Sequence, residues 1–102
     1  MDKERLYLRF EGEVVNIRSV NKRSSDSTEY ANHVGMVELL WSRSSRFTRM
    51  FAVFKETSWP SHHFKTTPGL LSADHEDHLV LTTKNHIYTF RIIQVYADNR
   101  QK

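Results

Sequence analysis

The sequence predicts a mainly β protein, a small antiparallel barrel or roll of five to six strands, and three observations carry that expectation. Large apolar residues recur at every second position, at Leu6, Leu8 and Phe10 and again at Leu79, Leu81, Tyr88, Phe90 and Ile92, the period of a strand with one face buried. Two runs rich in β-branched and aromatic residues, 78–83 and 86–96, flank the polar pair Lys84-Asn85, which is a hairpin signal. The two long segments that lack alternation, 21–35 and 56–77, are polar or hold both prolines. They read as loops, each with a short helical turn expected in it.

At 102 residues the chain is expected to form one domain spanning 1–102, long enough for one core and too short for a second. Aromatic residues make up 12% of it and there is no cysteine. A packed interior is therefore expected, without disulfides or thiolate metal ligands. No apolar run approaches the ~20 residues of a membrane span, and the opening MDKERLYLRF holds acids and no hydrophobic region of signal-peptide length. The expected location is the cytoplasm, with no membrane partner.

The first strand begins at Leu6. After Phe10 the alternation is interrupted at Glu11-Gly12 and resumes from Glu13 to Val20, with Val15 and Ile17 on one side and Val14, Asn16, Arg18 and Val20 on the other. A single glycine without Pro, Asn or Asp beside it is a weak turn signal, so one bent strand is preferred to a hairpin. Residues 21–35 are the most polar stretch and read as a loop. A rival reading is a helix from about Ser27 toward Trp41, because Asp26 and Glu29 fit a capping box and Tyr30, Val34, Val37 and Trp41 share a helical face. Gly35 inside it and Met36, Leu39 and Leu40 off its stripe favour a short turn followed by a strand.

Met36–Trp41 and Phe47–Lys55 then form a second hairpin around residues 42–46, the latter strand with Phe47, Phe51 and Val53 on one face and Met50, Ala52 and Phe54 on the other. In 56–77 the segment Thr67-Pro68-Gly69-Leu70 suits a type II turn, and Trp59, Phe64, Leu70 and Leu71 are expected to pack onto the sheet. With Lys84 and Asn85 as the central turn residues of the final hairpin, Leu81 faces Tyr88 and Leu79 faces Phe90; a turn one residue later pairs Leu81 with Phe90 instead. Asn85 suits a turn position with positive φ. Ile93 and Val95 suggest that this last strand is covered on both sides at its C-terminal half, and Ala97–Lys102 read as a frayed tail. The expected core is Leu6, Leu8, Phe10, Val15, Ile17, Val37, Leu39, Trp41, Phe51, Val53, Leu79, Leu81, Tyr88, Phe90 and Ile92.

The chemistry-bearing residues point away from an enzyme. Six serines at 24, 25, 27, 42, 44 and 45 form no G-x-S-x-G elbow, and three glycines build no phosphate loop. No catalytic residue and no cofactor is assigned. Five of six histidines, His62, His63, His75, His78 and His86, lie close together in sequence. His62-His63 and Asp74 to His78 would offer imidazole and carboxylate ligands to a metal such as Zn²⁺ if the chain brought them together. His62, His63 and Lys65 also match the acid, base and phosphate-stabilising groups of a small ribonuclease. Solvated polar loops explain both groups more simply.

The formal net charge is +3, and the basic residues are unevenly placed. Arg43, Arg46 and Arg49 stand in a stretch without acids, and Lys22-Arg23 open the polar segment. Such cations neutralise phosphates, and Tyr7, Trp41, Phe47 or Tyr88 would stack on bases wherever they are exposed. The reading is a small non-catalytic binding module, with nucleic acid as one partner class and Lys22, Arg23, Arg43, Arg46 and Arg49 as the candidate contact residues. The alternative is an adaptor or inhibitor, of the kind phages and mobile elements carry, that docks on a protein or on itself through a sheet edge.

Overall fold

In a computed structural model, residues 5–20, 29–42 and 49–100 are described. They form seven strands: β1 (Leu6–Ser19), β2 (Val34–Trp41), β3 (Met50–Glu56), β4 (His63–Lys65), β5 (Leu70–His75), β6 (His78–Thr82) and β7 (His86–Asp98). All pair antiparallel in one sheet, in the order β4-β3-β2-β1-β7-β6-β5. There is no helix among the described residues. The mainly β antiparallel expectation holds, whereas the barrel of five or six strands does not, because the sheet has seven strands and is not closed.

The final hairpin adopts the first of the two registers, with Leu81 opposite Tyr88 and Leu79 opposite Phe90. Its turn differs from expectation. Asn85 does not have positive φ; instead the Thr83 amide donates to the carbonyl of His86 at 2.9 Å and the Thr83 hydroxyl oxygen accepts from the His86 amide at 3.2 Å. A side chain thus takes over a backbone acceptor's part in the turn.

β1 is the single bent strand the sequence suggested, and it runs unbroken through Gly12. Its pairing with β7 shifts register between Arg9 and Phe10, between Glu11 and Gly12, and between Val14 and Asn16. The last shift leaves Val15 as the extra residue of a β-bulge. Val14 and Ile17 therefore share the inner face, and Val14 replaces Val15 in the core. Bulges also coil a strand, which is how one sheet wraps around its own interior.

That interior is Leu8, Phe10, Val14, Ile17, Val37, Leu39, Met50, Ala52, Phe54, Leu79, Leu81 and Phe90, with Tyr7, Tyr30, Trp41, Phe64, Leu71, Tyr88 and Ile92 packed against it. Phe10 and Phe90 meet edge to face, centroids 6.5 Å apart. On β3 the inner face is Met50, Ala52 and Phe54. Phe51 is buried on the opposite face, where the Lys65 ammonium lies 4.7 Å from its ring centroid, and Val53 and Leu6 are half-buried.

Residues 56–77 contain β4 and β5 rather than loops with a helical turn. The two prolines sit outside the strands: Pro60 occupies the second position of a turn closed by the His62 amide on the Trp59 carbonyl, 2.8 Å. Pro68 precedes Gly69, which has no positive φ and is not in a type II turn. Gly69 instead exchanges two backbone hydrogen bonds with Met50, at 2.9 and 2.7 Å, while its α-carbon packs against β6. A Cβ there would fall 2.3 Å from the Thr82 carbonyl oxygen. This residue carries the chain from the β3 side of the sheet to the β6 side.

In place of a helix from Ser27 to Trp41, residues 34–41 form β2, preceded by a turn in which the His33 amide donates to the Tyr30 carbonyl at 3.0 Å. Asn32 supplies its positive φ of 68°. At the other end Ala97 and Asp98 belong to β7, and Asn99 donates from its amide to the Tyr7 carbonyl and from its side chain to the Leu6 carbonyl, at 2.9 and 3.0 Å. The expected frayed tail is pinned to β1 as far as Asn99.

Candidate functional site

The strand ends at one edge of the sheet build a cluster of ionisable and aromatic side chains. The Tyr30–His33 turn is fastened to β1 by two backbone bonds: the Asn32 amide donates to the Val14 carbonyl at 2.7 Å, and the Val14 amide to the His33 carbonyl at 2.9 Å. His33 directly precedes β2. Glu56 ends β3 opposite Gly35, and its amide donates to the His62 carbonyl at 3.1 Å. The Pro60 turn then returns the chain to β4. Glu56 and His62, six residues apart, and His33, 23 residues before Glu56, are thereby held on neighbouring, cross-bonded backbone.

Their ring and carboxylate atoms converge. One oxygen of Glu56, Oε1, lies 2.8 Å from His33 Nδ1 and 2.7 Å from His62 Nδ1, and the other accepts from the Ser58 hydroxyl at 3.3 Å. The second ring nitrogen of His62 lies 3.2 Å from the Glu29 carboxylate. The Glu56 and His62 side chains are each 13% exposed and His33 is 35% exposed. The His62 imidazole stacks on Tyr30, centroids 4.2 Å apart, and on Trp59 at 5.1 Å. Tyr30 also meets Phe64 and Phe54 edge to face, and its hydroxyl donates to the His63 carbonyl at 2.8 Å.

The electrostatics follow from these contacts. The hydrogen bond from His62, and then that from His33, hold the Glu56 carboxyl below its ordinary range against the opposing effect of burial. The bond to Glu56 raises His62, again against burial, with Glu29 assisting. Burial, with the nearby carboxylates of Glu29 and Glu56, raises Tyr30.

The sequence-based groupings fare differently. His62 joins the cluster but His63 does not; it is exposed, with Nδ1 3.0 Å from the Ser61 carbonyl. His75 and His78 meet each other edge to face at 5.6 Å, beside Asp74 and Asp77. Among the described residues, His33, Glu56 and His62 are the one group of three or more metal-ligating side chains whose donor atoms lie within 4.8 Å of one another. The two histidine segments are not gathered into one site. Lys65 covers Phe51 rather than standing beside His62, so the ribonuclease-like grouping is not assembled either. The sequence reading did not connect His33, Glu29 or Glu56 with His62, because strand pairing is what makes the four neighbours; Glu29 figured there only in a capping box.

Of the candidate contact cations, Lys22, Arg23, Arg43 and Arg46 lie outside the described residues, as does Phe47. Arg49 is half-buried at the entry to β3, its carbonyl accepting from the Ser42 amide at 2.9 Å. Tyr7 and Trp41 meet edge to face at 5.2 Å and, like Tyr88, pack partly against the core. Arg9 and Arg91 are paired with Glu38 and Glu13.

The C-terminal half of β7 presents a different surface. β6 pairs with β7 only as far as Arg91, and one further bond runs from the Ile92 amide to the Asp77 carbonyl, 2.7 Å. Beyond it, β7 pairs with β1 alone, leaving its other edge without a strand among the described residues. Ile93, Val95 and Tyr96 are 42, 39 and 51% exposed, contrary to the expected cover on both sides. β6 is too short to reach them. Ile93 and Tyr96 are the extra residues of two bulges.

Comparison with protein-family models, with curated proteins and with solved structures finds no match. No helix among the described residues is long and apolar enough to cross a membrane.

Proposed function

We propose that the protein is a non-catalytic interaction module whose binding surface is the free edge of β7, and that the strand it accepts belongs to a second copy of the chain. The observation that carries this reading is the run 93–98, which lacks a neighbouring strand on one side among the described residues and exposes three large apolar residues. An unpaired strand edge offers main-chain hydrogen bonds to an added strand, and apolar side chains at its margin supply burial.

The segment is self-complementary. An antiparallel dyad between Gln94 and Val95 sets Ile93 opposite Tyr96 and confines the added pairing to 93–96, because β6 already occupies this edge at Arg91 and Asp77 at Ile92. The same dyad places the two bulges opposite each other, so the irregularities of one strand meet those of its copy. Their coiling favours a short pairing over an extended one, which separates dimerisation from open-ended edge association.

The test is the mass of the intact chain by sedimentation equilibrium over a wide concentration range. The expected result is a monomer–dimer equilibrium that Val95→Lys shifts at least tenfold toward monomer, with residues 93–96 gaining protection from hydrogen exchange in the dimer. A protein that stays monomeric at millimolar concentration overturns the reading. If that monomer binds single strands or duplex at low salt, and loses the binding with Arg43→Glu and Arg46→Glu, the nucleic-acid reading takes its place.

A further inference from the structure

We propose that His33, Glu56 and His62 form a binding site for one divalent transition-metal ion of the Zn²⁺ class. Two imidazoles and one carboxylate are the borderline nitrogen and oxygen donors that such ions take.

The hydrogen-bonding pattern calls for positive charge at the centre of the cluster. His62 has a carboxylate oxygen at each ring nitrogen, Glu56 at Nδ1 and Glu29 at Nε2, 2.7 and 3.2 Å away. A neutral imidazole has only one N–H, so it satisfies one of these acceptors and turns a lone pair on the other. His33 Nδ1 faces the same Glu56 oxygen at 2.8 Å. Protons can supply the missing charge, and so can one metal ion replacing them between Nδ1 of each ring and the shared carboxylate. With the metal in place, Glu29 accepts from the remaining N–H of His62. That is the usual outer partner of a metal-bound histidine, fixing its tautomer and ring orientation.

The spacing suits the ion. Zn–N and Zn–O distances near 2.0–2.1 Å place neighbouring tetrahedral ligands about 3.3 Å apart. The two N···O separations, 2.8 and 2.7 Å, need to open by roughly half an ångström to admit an ion of that radius. All three donors already lie within 4.8 Å of one another. Small side-chain rotations suffice, because backbone bonds hold His33 to β1 and Glu56 to His62, and stacking on Tyr30 and Trp59 limits the plane of the His62 ring. Three protein donors leave a further position for water or a small anionic or imidazole-like ligand.

The test uses the intact chain, stripped with a chelator and titrated with Co²⁺, whose visible absorption reports its coordination, followed by competition with Zn²⁺. One equivalent of Co²⁺ is expected, displaced by Zn²⁺, with a Zn²⁺-dependent rise in melting temperature. His33→Gln, Glu56→Gln and His62→Gln are each expected to weaken binding at least tenfold, while the double variant His75→Gln, His78→Gln binds as the parent does. His33→Gln is decisive because His33 is the most exposed of the three side chains and its replacement is compatible with folding. No stoichiometric binding at micromolar metal overturns the proposal. So does binding that His33→Gln leaves unchanged, or that the His75, His78 double variant removes.

Discussion

Val14 and Ile17, three positions apart on one strand, both point into the core, at 0 and 5% exposure. Strict alternation would place them on opposite faces. The extra residue between them, Val15, is left half-buried. Truncating each valine should therefore give unequal costs. Val14→Ala removes fully buried methyl groups and is expected to cost about 2 kcal/mol, whereas Val15→Ala should cost less than about 1 kcal/mol. Urea unfolding of the two variants measures the difference; equal losses would contradict the bulge.

Gly69 has no room for a side chain. Its Cβ would meet the carbonyl oxygen and carbon of Thr82 at 2.3 and 2.8 Å, and a backbone group held in a strand cannot swing away. Gly69→Ala is expected to destabilise by about 2 kcal/mol, within the usual cost of overpacking. The ordinary preference for Ala over Gly in chain entropy would predict a small gain instead. Thermal unfolding of the single variant separates these outcomes.

Tyr30 acts mainly through its ring. It touches His62, Phe64 and Phe54, while its hydroxyl makes one hydrogen bond at the protein surface. Tyr30→Phe should cost no more than about 1 kcal/mol. Tyr30→Ala should cost about 2–3 kcal/mol, somewhat below the figure for a fully buried ring. Chemical denaturation of both variants provides the comparison.

The Asp98 carboxyl is held down to about 2, chiefly by hydrogen bonds from the Arg100 side chain and then by the Arg100 amide. An acid whose folded pKa lies below its unfolded value stabilises the fold fully above the unfolded value of ~3.9 and loses that contribution as pH falls toward the folded one. The melting temperature of Asp98→Asn is expected to fall less steeply than that of the parent between about pH 4 and pH 2. Parallel curves through that window would show that the pair contributes nothing to folding.

The strands that were legible in the sequence are those whose period is undisturbed and whose partner is adjacent. Lys84-Asn85 narrowed the final hairpin to two registers because only two residues separate the runs, and the structure takes the one with Leu81 on Tyr88. Val14 was misplaced because a bulge leaves no trace in hydrophobicity. β4 and β5 were hidden by Pro60 and Pro68, which read as breakers although both fall just outside the strands. Gly69 suggested a turn, whereas its use is close approach to Thr82. In the ionisable cluster only His62 was noticed, since its nearness to His33 and Glu29 arises from β1, β2, β3 and β4 lying side by side.

The pairing of β1 with β7 joins nearly opposite ends of the described chain at the middle of the sheet, from Leu8 with Asp98 to Ser19 with His86. Closing so long a loop costs roughly 2–3 kcal/mol more in chain entropy than closing the two-residue turn between β6 and β7. Local hairpins are thus expected to assemble first, and the molecule gains cooperative structure only when its N-terminal strand docks between them. Folding speed should depend on that late, long-range capture, and substitutions along β1 should slow it more than those confined to β5.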